Sequence, residues 1–221
     1  MVESYAGLAA RILKRPARLG RTRLVAVDGP SGAGKTVFAS RLAAAFEVTV
    51  PVVHTDDLLD GWADQFAFWP RLEEWILAPL RAGQPARYRR YDWTRGRFGQ
   101  DWTVLPPAPV VIVEGVSSAR AAIAAEVTLA VFVSAPARLC RDRTLARDGA
   151  ALVPALTAWR RGERAHFAAD RTRERADLVV DGAAGPGRES AAGPGRESAA
   201  GPGRESAAGP GRESAAFRRI R

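Results

Sequence analysis

Gly29-Pro30-Ser31-Gly32-Ala33-Gly34-Lys35-Thr36 reads GPSGAGKT, and only Asp28 separates it from the apolar run Leu24-Val25-Ala26-Val27. The octapeptide fits GxxxxGK[ST], and its setting is a strand, a glycine-rich turn and the start of a helix carried by Val37 to Phe46. Glycine lets successive backbone N–H groups turn inward around a polyphosphate, and the helix start adds its partial positive charge. In a loop of this kind the lysine, here Lys35, reaches the β and γ phosphates, and the hydroxyl of Thr36 holds Mg²⁺. Gly29, Pro30, Ser31, Gly32, Ala33, Gly34, Lys35 and Thr36 together form the expected ATP-binding element.

Around this loop, short β-branched runs alternate with helical stretches, the pattern of an α/β domain with a parallel sheet. The expected strands are Leu24 to Val27, Val48 to Val53, Val110 to Val113, Val127 to Val133 and Leu178 to Val180. Leu8, Ile12 and Leu13 recur at helical spacing before the first of them, while Ala137 to Arg147 and Trp159 to Arg175 read as charged helices. In open α/β sheets ligands lie at the carboxyl ends of the strands. Three of those ends carry acids: Asp28, His54-Thr55-Asp56-Asp57 and Glu114-Gly115. Phosphoryl transfer to an alcohol needs one carboxylate to accept the hydroxyl proton and another to organise Mg²⁺, roles that suit Asp56 and Glu114 respectively.

Composition narrows the setting. The chain has 221 residues, 47% of them hydrophobic, which suits one domain with a substantial core. Cys140 is the sole cysteine, so an intrachain disulfide is excluded and the cytoplasm is the expected location. The first twenty-two residues carry Arg11, Lys14, Arg15, Arg18 and Arg21 without the apolar core of an export signal. No run approaches the roughly eighteen apolar residues of a membrane span. The net charge of +9 falls to +6 once the seven arginines and four glutamates of Ala183 to Arg221 are set aside. Cations around a phosphate-handling site account for part of that balance, and no continuous basic run with interleaved aromatics marks a nucleic-acid surface. His54 and His166 lack partners at metal spacing.

From Ala183 the sequence repeats AAGPGRES four times without a substitution, then ends Ala215-Ala216-Phe217-Arg218-Arg219-Ile220-Arg221. Gly-Pro-Gly in every unit defeats helix and strand alike, so 183–221 is expected to be a disordered tail. The folded domain then spans 1–182, with an N-terminal helix within about 1–22, an acceptor-side insert at about 58–100 and lid helices at about 137–175.

In order along the chain, LVAVDGPSGAGKT, HTDDLLDGW, RYRRYDWTRGRF, VVIVEGV and ADLVVDG resemble the landmarks of the uridine kinase family, a branch of the P-loop kinases that includes phosphoribulokinase and bacterial pantothenate kinase. The similarity runs over about residues 23 to 182. It implies a three-layer P-loop fold with a parallel five-stranded sheet of order 2-3-1-4-5, and an ATP- and Mg²⁺-dependent transfer of phosphate to a small acceptor, a nucleoside first. It also implies that Asp56 activates the acceptor hydroxyl, that Tyr91 and Asp92 of a Tyr-Asp segment help bind the acceptor, and that lid arginines fall among Arg141, Arg143 and Arg147, with Arg143 and Arg147 catalytic and Arg141 at the substrate. Where the family carries a nucleoside-binding histidine, this chain has Arg95-Gly96-Arg97, making Arg95 and Arg97 substrate-binding candidates. The insert crowds Trp62, Phe66, Phe68, Trp69 and Trp75 ahead of Arg87, Arg89 and Arg90; the rings either stack on a flat acceptor or fill a small core, and the arginines either grip an anion or face solvent. A nucleotide-dependent switch and a nucleic-acid-linked ATPase are the alternative functions, but no Asn-Lys-x-Asp segment for guanine is present.

Overall fold

The computed structural model describes residues 1–183 and 215–221. Its strands are β1 (Val2–Ser4), β2 (Arg23–Asp28), β3 (Val52–His54), β4 (Ala86–Asp92), β5 (Arg97–Leu105), β6 (Val110–Glu114), β7 (Val127–Ser134), β8 (Leu178–Asp181) and β9 (Ala216–Arg218). The helices are α1 (Tyr5–Lys14), α2 (Lys35–Ala44), α3 (Trp69–Leu72), α4 (Ala78–Arg81), α5 (Ala137–Asp148), α6 (Val153–Asp170) and α7 (Thr172–Arg175), with a π-helical turn, Glu73–Leu77, joining α3 to α4.

The loop-bearing strand β2 lies at the centre of a five-stranded parallel sheet, order β3-β6-β2-β7-β8. Counted along the chain those strands run 2-3-1-4-5. Both faces are covered, and strand residues alternate between them as the two-residue period requires. Val25, Val27, Ile112, Val131 and Val133 join one core with Leu8, Ile12, Phe38 and Leu42 of α1 and α2. Leu24, Ala26, Val53, Val111 and Val113 join the other, with Phe68, Leu72, Ile76, Leu77 and Leu80 of the insert. Leu24 through Val27 are fully buried. Leu24, Val25 and Val27 each contribute about 1.5–3 kcal/mol by leaving water, which makes this strand the anchor of the loop that follows.

Three expectations need correction. Strand β3 starts at Val52 rather than Val48: Val48 is exposed, and Pro51 has no N–H for the ladder. The second lid helix starts at Val153 and breaks at Arg171, whose φ of 51° ends α6 before α7. Third, the disordered-tail expectation fails for the last residues, because Ala216–Arg218 forms β9 and pairs antiparallel with β1. The octapeptide repeats from 184 to 214 lie outside the described residues. What the repeats lack, Phe217 supplies: its ring is buried with Tyr5 and Phe38, centroids 5.1 and 5.3 Å away. The insert holds a further element, the antiparallel hairpin β4–β5. Among the described residues no helix is long and apolar enough to cross a membrane.

Candidate active site

Strands β2, β3 and β6 end side by side and deliver Asp28 with the loop, His54 with Asp56, and Glu114 to one rim. Gly115 makes this closeness feasible. Its φ is 142°, and a Cβ there would overlap the Thr55 side chain at the head of the Asp56 turn.

Asp28 fixes the loop from beneath. Its Oδ1 accepts from the N–H groups of Gly29 (2.7 Å) and Ser117 (2.9 Å), and its Oδ2 from Ala119 N–H (2.9 Å). Burial pushes this carboxyl up to about 6, against the pull of those three donors and of Lys35. The folded state therefore holds the Asp28 proton more tightly than the unfolded chain, whose value is 3.8. That contribution favours folding below about pH 4 and is lost as pH rises through about 6, a change of roughly 3 kcal/mol. In urea unfolding at pH 4, 5, 6 and 7, Asp28→Asn should flatten this part of the stability profile; an unchanged profile would reassign it to other groups.

Lys35 is buried at the start of α2, and its Nζ donates to the Pro30 carbonyl (3.1 Å), so the cation sits inside the curve of the loop. Thr36 Oγ1 donates to Glu114 Oε1 (3.0 Å), and His54 Nδ1 lies 2.5 Å from the same oxygen. Burial acts to raise the Glu114 carboxyl, but the His54 hydrogen bond and the Lys35 and His54 charges outweigh it and hold the group below its usual range. The bond to Glu114 in turn raises His54. An ionised carboxylate beside a hydroxyl is a hard oxygen donor pair of the kind Mg²⁺ takes. Among the described residues no three or more His, Cys, Asp or Glu side chains group to hold a metal alone.

Helix α5 contributes two arginines. Arg143 Nη1 donates to the carbonyls of Gly32 (3.2 Å) and Gly182 (2.9 Å), bracing the loop against the end of β8. Arg147 forms a two-pronged pair with Asp148 (2.7 and 2.8 Å), which raises its pKa.

Two cavities meet here. The larger, about 390 Å³, runs along the loop past Lys35, Thr36, Glu114 and Arg143. The smaller, about 230 Å³, is walled by Trp62, Trp93 and Trp159 with Leu59, Leu152 and Leu156. Trp62 meets Trp93 and Trp159 edge to face, centroids 5.4 and 5.7 Å apart, and Trp93 Nε1 donates to the Asp56 carbonyl (3.2 Å). Ser31, Asp56 and Arg147 line both cavities.

The chain thus joins the glycine-rich loop to a tryptophan-walled pocket with Asp56 lining both, on a 2-3-1-4-5 parallel sheet. The same architecture occurs in solved structures. A possible uridine kinase from Bacillus stearothermophilus superposes with a TM-score of 0.60 at 19% identity, over 79% of this chain and 96% of that one. A candidate fructose transport system kinase from Silicibacter sp. gives a TM-score of 0.54 at 22% identity, over 81% and 98%. The fold is that of the uridine kinase-like P-loop kinases. No family model matches the sequence. Among curated proteins, the inorganic pyrophosphatases TTM2 and TTM1 of Arabidopsis thaliana are 34% and 32% identical over 105 and 101 residues, 42% of this chain in each case. The matched stretch is only 15% and 16% of their length.

Within the kinase fold, the expected site residues fall into two groups. The loop, Asp56, Glu114, Arg143 and Arg147 come together at the cavities. Tyr91 lines neither cavity and packs edge to face on Trp93, a wall of the smaller one, and on Phe98. Asp92 instead caps the β4–β5 turn by accepting from the N–H groups of Thr94 and Arg95 (both 3.0 Å). Arg95 and Arg97 are exposed at that turn, and Arg141 is exposed beside Asp142, all three outside both cavities. Of the insert arginines, Arg87 and Arg89 stack on Trp102 and Arg90 pairs with Asp57 (3.1 Å).

Three contributors were not foreseen: His54, Trp159 and Glu163. Glu163 is buried against the loop, where its Oε1 accepts from Ser31 N–H (2.8 Å), Ser31 Oγ (2.5 Å) and Trp159 Nε1 (3.0 Å). Trp159 and Glu163 stand four apart on α6 and so share one helix face, a spacing visible in the sequence, but nothing there says that this face meets the loop.

Proposed function

We propose that this chain transfers the γ-phosphoryl group of ATP to a hydroxyl of a small metabolite, with a nucleoside as the first candidate acceptor. The observation that carries the reading is Asp56 standing where the loop cavity opens into the tryptophan pocket. An ATPase that only switches needs no second pocket beside its phosphate site; a kinase needs one, with a base at the junction.

In this mechanism the loop N–H groups and Lys35 hold the triphosphate. Thr36 and Glu114 would hold Mg²⁺, which would supply charge neutralisation to the phosphates. Asp56 accepts the hydroxyl proton of the acceptor and aims its oxygen along the line of attack. Arg143 and Arg147 close over the transferring group and exclude water.

The pocket also restricts the acceptor. Arg147 is the only cationic residue among those lining it, and this reading assigns it to the transferring phosphoryl group. Three indole rings and three leucines favour a flat or apolar body over a phosphorylated sugar. A cytoplasmic, small-molecule role follows from this reading, with neither membrane nor nucleic acid as partner.

The test is ADP release by the full chain with MgATP against nucleosides, pantothenate-like acids and sugar phosphates. Acceptor-dependent release, greatest with an unphosphorylated acceptor, supports the reading. A second reading, phosphoanhydride hydrolysis, is favoured by the similarity to proteins named inorganic pyrophosphatases. Phosphate release from ATP or pyrophosphate without any acceptor would select it.

A further inference from the structure

The larger cavity has two chemically distinct ends. One is polar and cationic, at Lys35, Thr36, Glu114 and Arg143. The other lies further along α2 and is made of Val37, Phe38 and Arg41 with Tyr5, Val180, Ala216 and Phe217. Phe38 and Arg41 stand three and six residues beyond Lys35 on α2, so this end extends from about 4.5 to 9 Å further along the helix axis. A nucleoside joined to a phosphate chain held at the loop would lie in that direction. Val37 is 52% exposed although apolar, and Ala216 is likewise in solvent, so this end offers uncovered apolar surface.

We infer that the C-terminal strand β9 is part of the nucleotide-binding site, and that Ala216 and Phe217 form the wall against which the nucleoside end of the donor packs. The inference rests on the kinase reading, since it assumes that a nucleoside triphosphate occupies the loop.

The strand is built in securely. Tyr5 N–H donates to the Ala215 carbonyl (3.2 Å), Arg219 N–H to Met1 (2.8 Å) and Ile220 N–H to Val179 (2.8 Å). The Arg221 guanidinium donates to the carbonyls of Arg173, Glu174 and Ala176 (2.9–3.0 Å), which clips the segment to the end of α7. Phe217 then touches Phe38, which stands on the helix that begins with Lys35 and Thr36. Both borders of the repeat region reach the same cavity, at Gly182 before it and at Ala216 after it.

The experiment compares binding of ATP and of inorganic tripolyphosphate to the full chain, by calorimetry, for the wild type, Phe217→Ala and Ala216→Trp. Tripolyphosphate keeps the phosphates and lacks the nucleoside. The expected result is a loss of ATP affinity of about tenfold in each variant, with tripolyphosphate affinity unchanged. Phe217→Ala removes a buried ring and could compromise folding; Ala216→Trp alters an exposed position, fills the cavity end, and decides the question if the first variant does not fold. Equal binding of ATP by wild type and Ala216→Trp overturns the inference. A parallel loss for ATP and tripolyphosphate also overturns it, because the strand would then support only the loop. A wild type that binds neither ligand defeats the kinase reading itself.

Discussion

Asp56→Asn should lower acceptor-dependent turnover roughly a hundredfold to ten-thousandfold while ATP affinity stays within about threefold of wild type. The substitution keeps size and shape and removes the capacity to take a proton. Asp56 lines both cavities but is not among the residues that cradle the loop, so the donor site should remain intact. The Asp56 carbonyl, which receives Trp93 Nε1, is untouched by the change, so the pocket wall should hold as well. Turnover close to wild type would remove Asp56 from the role of base. A parallel fall in ATP affinity would instead make it part of the donor site.

Lys35→Met should show the opposite pattern, with nucleotide affinity and turnover falling together. Methionine fills nearly the same volume as the aliphatic part of the lysine stem, so packing at the start of α2 is kept while the charge is lost. The ammonium lies inside the loop with one bond to Pro30, leaving further donor capacity for phosphate oxygens. Removing one preorganised charge of this kind typically costs about 10²–10³ in rate. Single-turnover rates together with ATP titration separate the two variants: a Lys35→Met protein that binds ATP like wild type would place the triphosphate elsewhere.

The centre of the fold was legible because its signals are local. The Leu24–Val27 run, the glycines of the loop and the β-branched runs at Val110 and Val127 each carry their own turn or burial pattern, and strands β2, β6 and β7 of the parallel sheet form where these lie. The acids Asp56 and Glu114 were legible for a related reason, since a polar residue ending a buried strand must face the carboxyl edge. The rest depends on distant pairings. Arg97–Leu105 pairs with β4 although its exposed Gln100, Asp101 and Trp102 break any simple alternation. The insert's aromatics divide between two places: Phe68 is fully buried in the core, whereas Trp62 lines the smaller cavity. Glu163 reads as one more charge on a charged helix until α6 is laid across Ser31. Residues 216–218 read as the end of a disordered tail because the edge they pair with is at the other end of the chain.

That last pairing has an evolutionary consequence. Tandem copies of a short unit gain and lose members when DNA is replicated, and each AAGPGRES copy is a whole number of codons. A change in copy number therefore leaves the reading frame of Ala216 and Phe217 intact, whereas a frameshift anywhere within the repeats rewrites the strand that packs on Tyr5 and Phe38. Chains related to this one should differ freely in the number of copies and agree on an aromatic residue shortly after the last of them.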